Sequence, residues 1–144
     1  MSKCCVFGLG YIGLPTAALI ATNGHKVIGV DIKEEIIELV NNGSVHFTEK
    51  DLDKLVKKAV ESGNLVAKNY PEKSDIFIIA VPTPIEENEN QELPSPNIKY
   101  VLKAVESISK VFCPGNLIII ESTSPVGTSE IVLNLIKEKL SLKN

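Results

Sequence analysis

Hydrophobic positions along the chain follow two alternating rhythms. Short, almost unbroken apolar runs occur at 3–7 (KCCVF), 26–31 (KVIGVD), 65–68, 75–81 (DIFIIAV) and 116–121 (NLIIIE). Their length and their β-branched content predict strands, and the runs at 75–81 and 116–121 have the composition of strands buried on both faces of a parallel sheet. Between them lie amphipathic stretches. Residues 11–23 predict a helix rich in small apolar side chains (Ala17, Ala18, Ala21), and residues 33–41 one with Ile36, Ile37 and Val40 on one side. Leu52, Leu55, Val56, Ala59 and Val60 form the i, i+3, i+4, i+7, i+8 stripe of a helix packed on one face. A fourth helix is predicted from about Asn97, with Ile98, Val101, Leu102, Val105 and Ile108 inward, and a last one over 128–140. Gly24, Asn42-Gly43 and Gly63 are helix stops, and Thr48-Glu49-Lys50-Asp51 predicts a capping box with Asp in the Glu position. Residues 82–96 hold four prolines (Pro82, Pro84, Pro94, Pro96) and the polar run 86–92, which predicts a loop with a solvated tip.

Strands alternating with helices imply βαβ units with right-handed crossovers. The expected architecture is α/β, a doubly wound parallel sheet with strand order 3-2-1-4-5 and helices on both faces, in a single domain. Ligands in such sheets sit beyond the carboxyl ends of the strands, here near Phe7, Val81 and Glu121. Composition adds exclusions. A chain of 144 residues, 44% hydrophobic and 23% charged, has the make-up of a globular domain, not of a disordered one. A net charge of −3 argues against nucleic acid or an anionic membrane surface as partner. No apolar run approaches the roughly 20 residues needed to span a bilayer. Adjacent Cys4 and Cys5, a distant Cys113 and the absence of a secretory pattern predict reduced thiols in a cytoplasmic protein. His25 and His46 are isolated and there is no CxxC, so no metal site is expected.

The chemistry concentrates after the first strand. Gly8-Leu9-Gly10-Tyr11-Ile12-Gly13 matches G-x-G-x-x-G, with a strand before it, a helix opening through it and a second strand after it. Gly8 permits the tight turn, Gly10 lets a pyrophosphate approach the backbone, and Gly13 lets the helix lie close to the sheet. Unpaired amides at the helix start then face the phosphates. All 15 basic residues are lysine, so bidentate arginine forks are unavailable and an anion site must use backbone amides or Lys. Asp31, 18 residues after Gly13 at the end of the second strand, can accept the ribose hydroxyls of an adenosine and repels a 2′-phosphate. The expected cofactor is NAD. The competing reading is a plain strand–helix turn with Asp31 as the N-cap of the following helix.

The segments 8–16 (GLGYIGLPT), 41–52 (NNGSVHFTEKDL), 80–84 (AVPTP) and 121–127 (ESTSPVG) resemble, in order and spacing, the N-terminal NAD-binding domain of the UDP-glucose/GDP-mannose dehydrogenase family. The resemblance covers essentially the whole chain. It implies NAD-dependent two-step oxidation of a UDP-sugar C6 alcohol to the carboxylate. The wording of 46–49 and 121–127 is nearest the branch acting on N-acetyl-D-mannosamine. By resemblance, Gly8, Gly10, Tyr11, Ile12, Gly13, Asp31, Thr83 and Thr123 contact the cofactor, with Thr123 and Glu121 near the reacting centre. The family's nucleophilic cysteine, its assisting lysine and asparagine, and its dimer-forming region lie in central and C-terminal domains that residues 1–144 do not match. The chain is therefore expected to be the cofactor half of a longer enzyme and inactive alone. The alternative is a stand-alone NAD(H)-binding or sensing module. Each site residue also has a plainer role open to it: Thr83 and Thr123 as turn hydroxyls, Tyr11 as a surface aromatic, Glu121 as an ion-pair partner of a lysine, and His46 as packing.

Overall fold

The computed structural model describes residues 2–86 and 95–141. In chain order these form β1 (Lys3–Phe7), α1 (Gly13–Thr22), β2 (Lys26–Val30), α2 (Glu34–Asn41), α3 (Leu52–Glu61), β3 (Leu65–Lys68), β4 (Ile76–Ile79), β5 (Ile85–Glu86), β6 (Ser95–Pro96), α4 (Lys99–Ser109), β7 (Leu117–Ile120) and α5 (Thr128–Ser141). Five strands make a parallel sheet in the order β3-β2-β1-β4-β7. That is the doubly wound order expected from the sequence, with the switch point between β1 and β4.

β1, β2 and β4 split their side chains between two cores. Cys4, Val6, Val27 and Ile78 face α1, α2 and α3, where Leu14, Ala17, Ala18, Val40, Val56 and Ala59 close over them. Cys5, Phe7, Ile28, Phe77 and Ile79 face α4 and α5, against Val101, Val105, Ile108, Val132 and Ile136. Burial on both faces explains why β1, β2 and β4 read as continuous apolar runs instead of alternating ones. The alanines of α1 are fully buried. Small side chains there let the helix approach the sheet closely, which brings its first turn onto the end of β1. The thiols of Cys4 and Cys5 are core groups: burial raises both, and Cys5 reaches about 12.

Helix ends obey the turn signals. Gly24, Gly43 and Gly63 each sit at positive φ, and the amides around them close Schellman motifs. In the second of these, Gly43 donates to Val40 and Ser44 to Leu39. Three expectations change. The capping box at 48–51 does not form: α3 starts at Leu52, and Asp51, in the left-handed region at φ 60°, makes no cap bond and instead pairs with Lys54. The first helix begins at Gly13 instead of residue 11, because residues 8–12 are consumed by the turn. β7 is an edge strand, not a buried one. Among the described residues it has one neighbour, and α4 and α5 cover the face bearing Ile118 and Ile120, so Leu117 and Ile119 are 52% and 40% exposed. The proline-rich loop also hides a short antiparallel pairing, Ile85 opposite Pro96, fastened by Asn97 N–H on the Pro84 carbonyl. Its expected solvated tip, 87–94, lies outside the described residues.

The connection from β3 to β4 carries no helix and is fixed by charge. Glu72 accepts from Lys3 Nζ at 2.6 Å and from Lys68. These two ammonium groups, Lys3 first, hold the Glu72 carboxyl down at about 2 from its usual 4.5. A carboxylate depressed on folding stabilises the protein above its unfolded value and ceases to as pH falls from about 4.5 to about 2. Glu72→Gln is expected to lower the thermal midpoint at neutral pH and to flatten the acid limb of the stability–pH curve across that window, measured by circular dichroism melts.

Candidate functional site

The chain leaves β1 through a turn that has no space for side chains. Gly8 lies at φ 89°, and a Cβ there would stand 2.6 Å from the Ala80 carbonyl oxygen at the end of β4. A Cβ on Gly13 would stand 1.8 Å from the carbonyl oxygen of Gly8 itself. Gly10 is different: a Cβ there meets nothing within 4 Å. Its missing side chain serves no contact inside the protein and leaves the backbone open to the outside. Leu14 and Thr16 donate to the carbonyls of Gly10 and Ile12, so the helix's hydrogen bonding begins inside the turn. The first amides of a helix have no intrahelical acceptor, and these emerge beside the exposed Tyr11 and Ile12.

Leu9 anchors the turn. Its side chain is fully buried and fills the space above Gly29, where a Cβ would come within 2.7 Å of Leu9 Cδ2. Its backbone is held on both sides. Leu9 N–H donates to Asp31 Oδ2 at 2.9 Å, and the Leu9 carbonyl accepts from His46 Nε2 at 2.7 Å. The second Asp31 oxygen accepts from the Lys33 amide at 3.0 Å. Asp31 is therefore not the N-cap of α2, a position held by Lys33 without a side-chain cap bond. It ties the end of β2 to the glycine turn. Each carboxylate oxygen keeps a further acceptor site.

His46, expected to be packing, reaches the turn from the connector between α2 and α3. Its neighbour Phe47 lies against Tyr11 with ring centroids 4.3 Å apart. Gly29 and Ser122 were also missed by sequence reasoning. The Ser122 hydroxyl donates to the Val81 carbonyl at 2.8 Å and also contacts that of Ile79, joining the loops that leave β7 and β4. Thr83 and Thr123 lie on those two loops, half-buried and exposed respectively. Glu121 is exposed and accepts from Thr16 Oγ1 at 3.1 Å, so its partner is a hydroxyl of α1 and not the lysine considered above. The structure thus joins residues 8–13, Asp31 and His46 by direct contacts, and sets Thr83, Glu121 and Thr123 past the ends of the neighbouring strands. Two concavities lie off this crevice. One, near Lys3, Lys73 and Cys113, sits at the opposite ends of the strands, and the other, beside His46, carries Glu49 and Asp53, which repel an anion.

A glycine turn opening a helix at the switch point of a parallel sheet, with an acid at the end of the second strand, defines a dinucleotide-binding Rossmann domain. Residues 2–144 match the profile of the UDP-glucose/GDP-mannose dehydrogenase family, NAD binding domain. The chain belongs to that family, and its cofactor is NAD. It is 50% identical over 140 residues to UDP-N-acetyl-D-mannosamine dehydrogenase of Campylobacter jejuni, covering 97% of this chain and 33% of that protein. The enzyme of the same name from Methanocaldococcus jannaschii is 50% identical over 138 residues, covering 95% and 32%. The solved UDP-N-acetyl-mannosamine dehydrogenase of Staphylococcus aureus superposes with a TM-score of 0.87 at 40% identity, covering 95% and 33%. The chain thus spans about a third of the length of these relatives. Among the described residues no helix is long and apolar enough to cross a membrane, and no group of His, Cys, Asp and Glu could hold a metal ion.

Gly10 and Gly13 differ in what a side chain would meet. Gly13→Ala must displace a backbone carbonyl and is expected to cost about 2 kcal/mol or more. Gly10→Ala, with open space at its Cβ, is expected to leave stability nearly unchanged. Urea denaturation of both variants checks this contrast.

Proposed function

We propose that the crevice over residues 8–13 is the NAD site. The observation that carries this reading is the vacancy at Gly10, where a Cβ would find no protein atom and a diphosphate finds bare backbone. The groups present fit the cofactor: helix-start amides donate to the pyrophosphate, Asp31 accepts from the adenosine ribose, and the backbone and side chains of Tyr11 and Ile12 lie along the dinucleotide. Thr83 and Thr123 border its nicotinamide end, and Glu121 stands near the reacting centre. NAD, when bound, supplies the hydride acceptor. The chain's own residues orient it and, through the charge of Asp31, disfavour a 2′-phosphate.

Within a longer polypeptide such as its relatives, this domain serves oxidation of a UDP-sugar C6 alcohol to the carboxylate, with UDP-N-acetyl-D-mannosamine as the substrate. The nucleophile that such a reaction needs is not among the three thiols. Cys4 and Cys5 are buried in β1 with raised pKa values, and a raised pKa keeps a thiol in its unreactive form. Cys113 lies at the far ends of the strands. Residues 1–144 act as one NAD-binding unit, and sugar specificity and any dimer contact rest on regions outside it. A cytoplasmic setting suits both the free thiols and the soluble substrates.

The isolated chain is expected to bind NAD+ by calorimetry and, with NAD+ and UDP-N-acetyl-D-mannosamine, to give no sustained rise at 340 nm; turnover would overturn the division of labour. Asp31→Ala is expected to weaken NAD binding by about 10- to 100-fold, since hydrogen bonds to a charged group are lost. It also narrows the preference for NAD over NADP. An unchanged Kd would remove Asp31 from the site.

A further inference from the structure

We propose that His46 is a positioning residue of the dinucleotide site, holding the Leu9–Gly10 peptide so that the Gly10 amide faces the pyrophosphate. This rests on the reading of residues 8–13 as the pyrophosphate site, and it adds a residue from a different part of the chain. A carbonyl oxygen only accepts, so the 2.7 Å contact to Leu9 fixes the proton on Nε2 of His46. The Leu9 carbonyl and the Gly10 amide belong to one planar trans peptide and point in opposite directions. A donor on that carbonyl therefore sets the direction of the Gly10 N–H. Asp31 does the same for the preceding peptide through the Leu9 N–H. Two consecutive peptides of the turn are thus held by side chains from outside it.

The support for His46 is itself built. Its connector leaves α2 through the Schellman turn at Gly43, where a Cβ would lie 3.3 Å from the backbone of Lys57 on α3. Phe47 stacks edge-on to the His46 ring at 4.8 Å and lies against Tyr11 at 4.3 Å. Tyr11 is otherwise 70% exposed. The aromatic pair pins the connector across the turn, and the imidazole transmits that position to the peptide. Aromatic contacts alone would hold the connector in place; the hydrogen bond is what gives the Gly10 amide a direction.

Ligand fragments test this on residues 1–144. His46→Leu keeps an apolar body beside Phe47 and removes the donor, while His46→Gln puts an amide N–H near the Nε2 position. Dissociation constants for ADP-ribose and for adenosine are measured by 15N–1H shift titration, alongside the thermal midpoint. The expected result is an ADP-ribose affinity about tenfold weaker in His46→Leu, adenosine within about twofold of wild type, and ADP-ribose affinity restored in His46→Gln. A purely structural role would weaken both ligands together. That outcome overturns the proposal, as does an ADP-ribose affinity unchanged in His46→Leu or a failure of His46→Gln to restore it. Gly10→Val serves as the control for the site: if that variant binds ADP-ribose as wild type does, or if wild type shows no binding, the underlying reading falls and this one with it.

Discussion

The structure turns on a steric constraint: between the end of β4 and the first turn of α1 the backbone passes against itself with no space for a Cβ. Gly8 is closed by Ala80, and Gly13 by Gly8. Packing this tight is possible because α1 presents alanines to the core, which lets the helix axis come down onto the sheet. Once the helix start is set there, its unpaired amides have nowhere to point but out past the carboxyl ends of β1 and β4. The proposed anion-binding surface is thus a by-product of how the first βαβ unit packs. The chain needs no arginine for it, and it has none.

Much of this was legible in the sequence, for reasons that are local. The strand order followed from alternation of element types, and the helix stops at Gly24, Gly43 and Gly63 followed from turn chemistry that operates over four or five residues. Gly8 and Gly13 were legible because their spacing reflects one compact unit, as was the place of Asp31 at the end of β2, but not its bond to the Leu9 amide. The failures share a different cause. Asp51 adopts a left-handed conformation that no spacing rule distinguishes from a cap. The exposure of β7 depends on its having no strand beyond it among the described residues, and its composition is that of a central strand. His46 and Ser122 act through contacts 37 and 41 to 43 residues away in sequence. Gly29 looks like a weak point in a strand until Leu9 is seen to occupy the space above it.

The long-range contacts converge on few atoms. Leu9 is gripped by its side chain against Gly29, by its amide on Asp31 and by its carbonyl on His46. Sheet, second-strand loop and α2–α3 connector therefore meet at one residue that itself carries no chemistry. Asp31 has a double duty as a consequence. In the proposed complex it would accept ribose hydroxyls while still holding the turn, so the adenosine and pyrophosphate ends of the site are mechanically joined through a single carboxylate.

On the other side of the switch point the arrangement is looser. Ser122 links the loops after β4 and β7, and Glu121 meets α1 only through the hydroxyl of Thr16. Thr83, Glu121 and Thr123 stand on exposed loops beside an edge strand whose apolar residues Leu117 and Ile119 face solvent. The turn that would hold the pyrophosphate is gripped at Leu9 from three directions; the loops that would border the reacting ring are tied by Ser122 and by the Thr16–Glu121 contact. Chemistry at C6 of a sugar requires the reacting atoms to be fixed to within a fraction of an ångström and water to be kept out. Among the described residues, side-chain hydrogen bonds hold the glycine turn from Asp31 and His46, while the loops after β4 and β7 are tied to each other through Ser122. That division is what the proposal of a cofactor unit within a longer enzyme requires, independently of where the nucleophile lies.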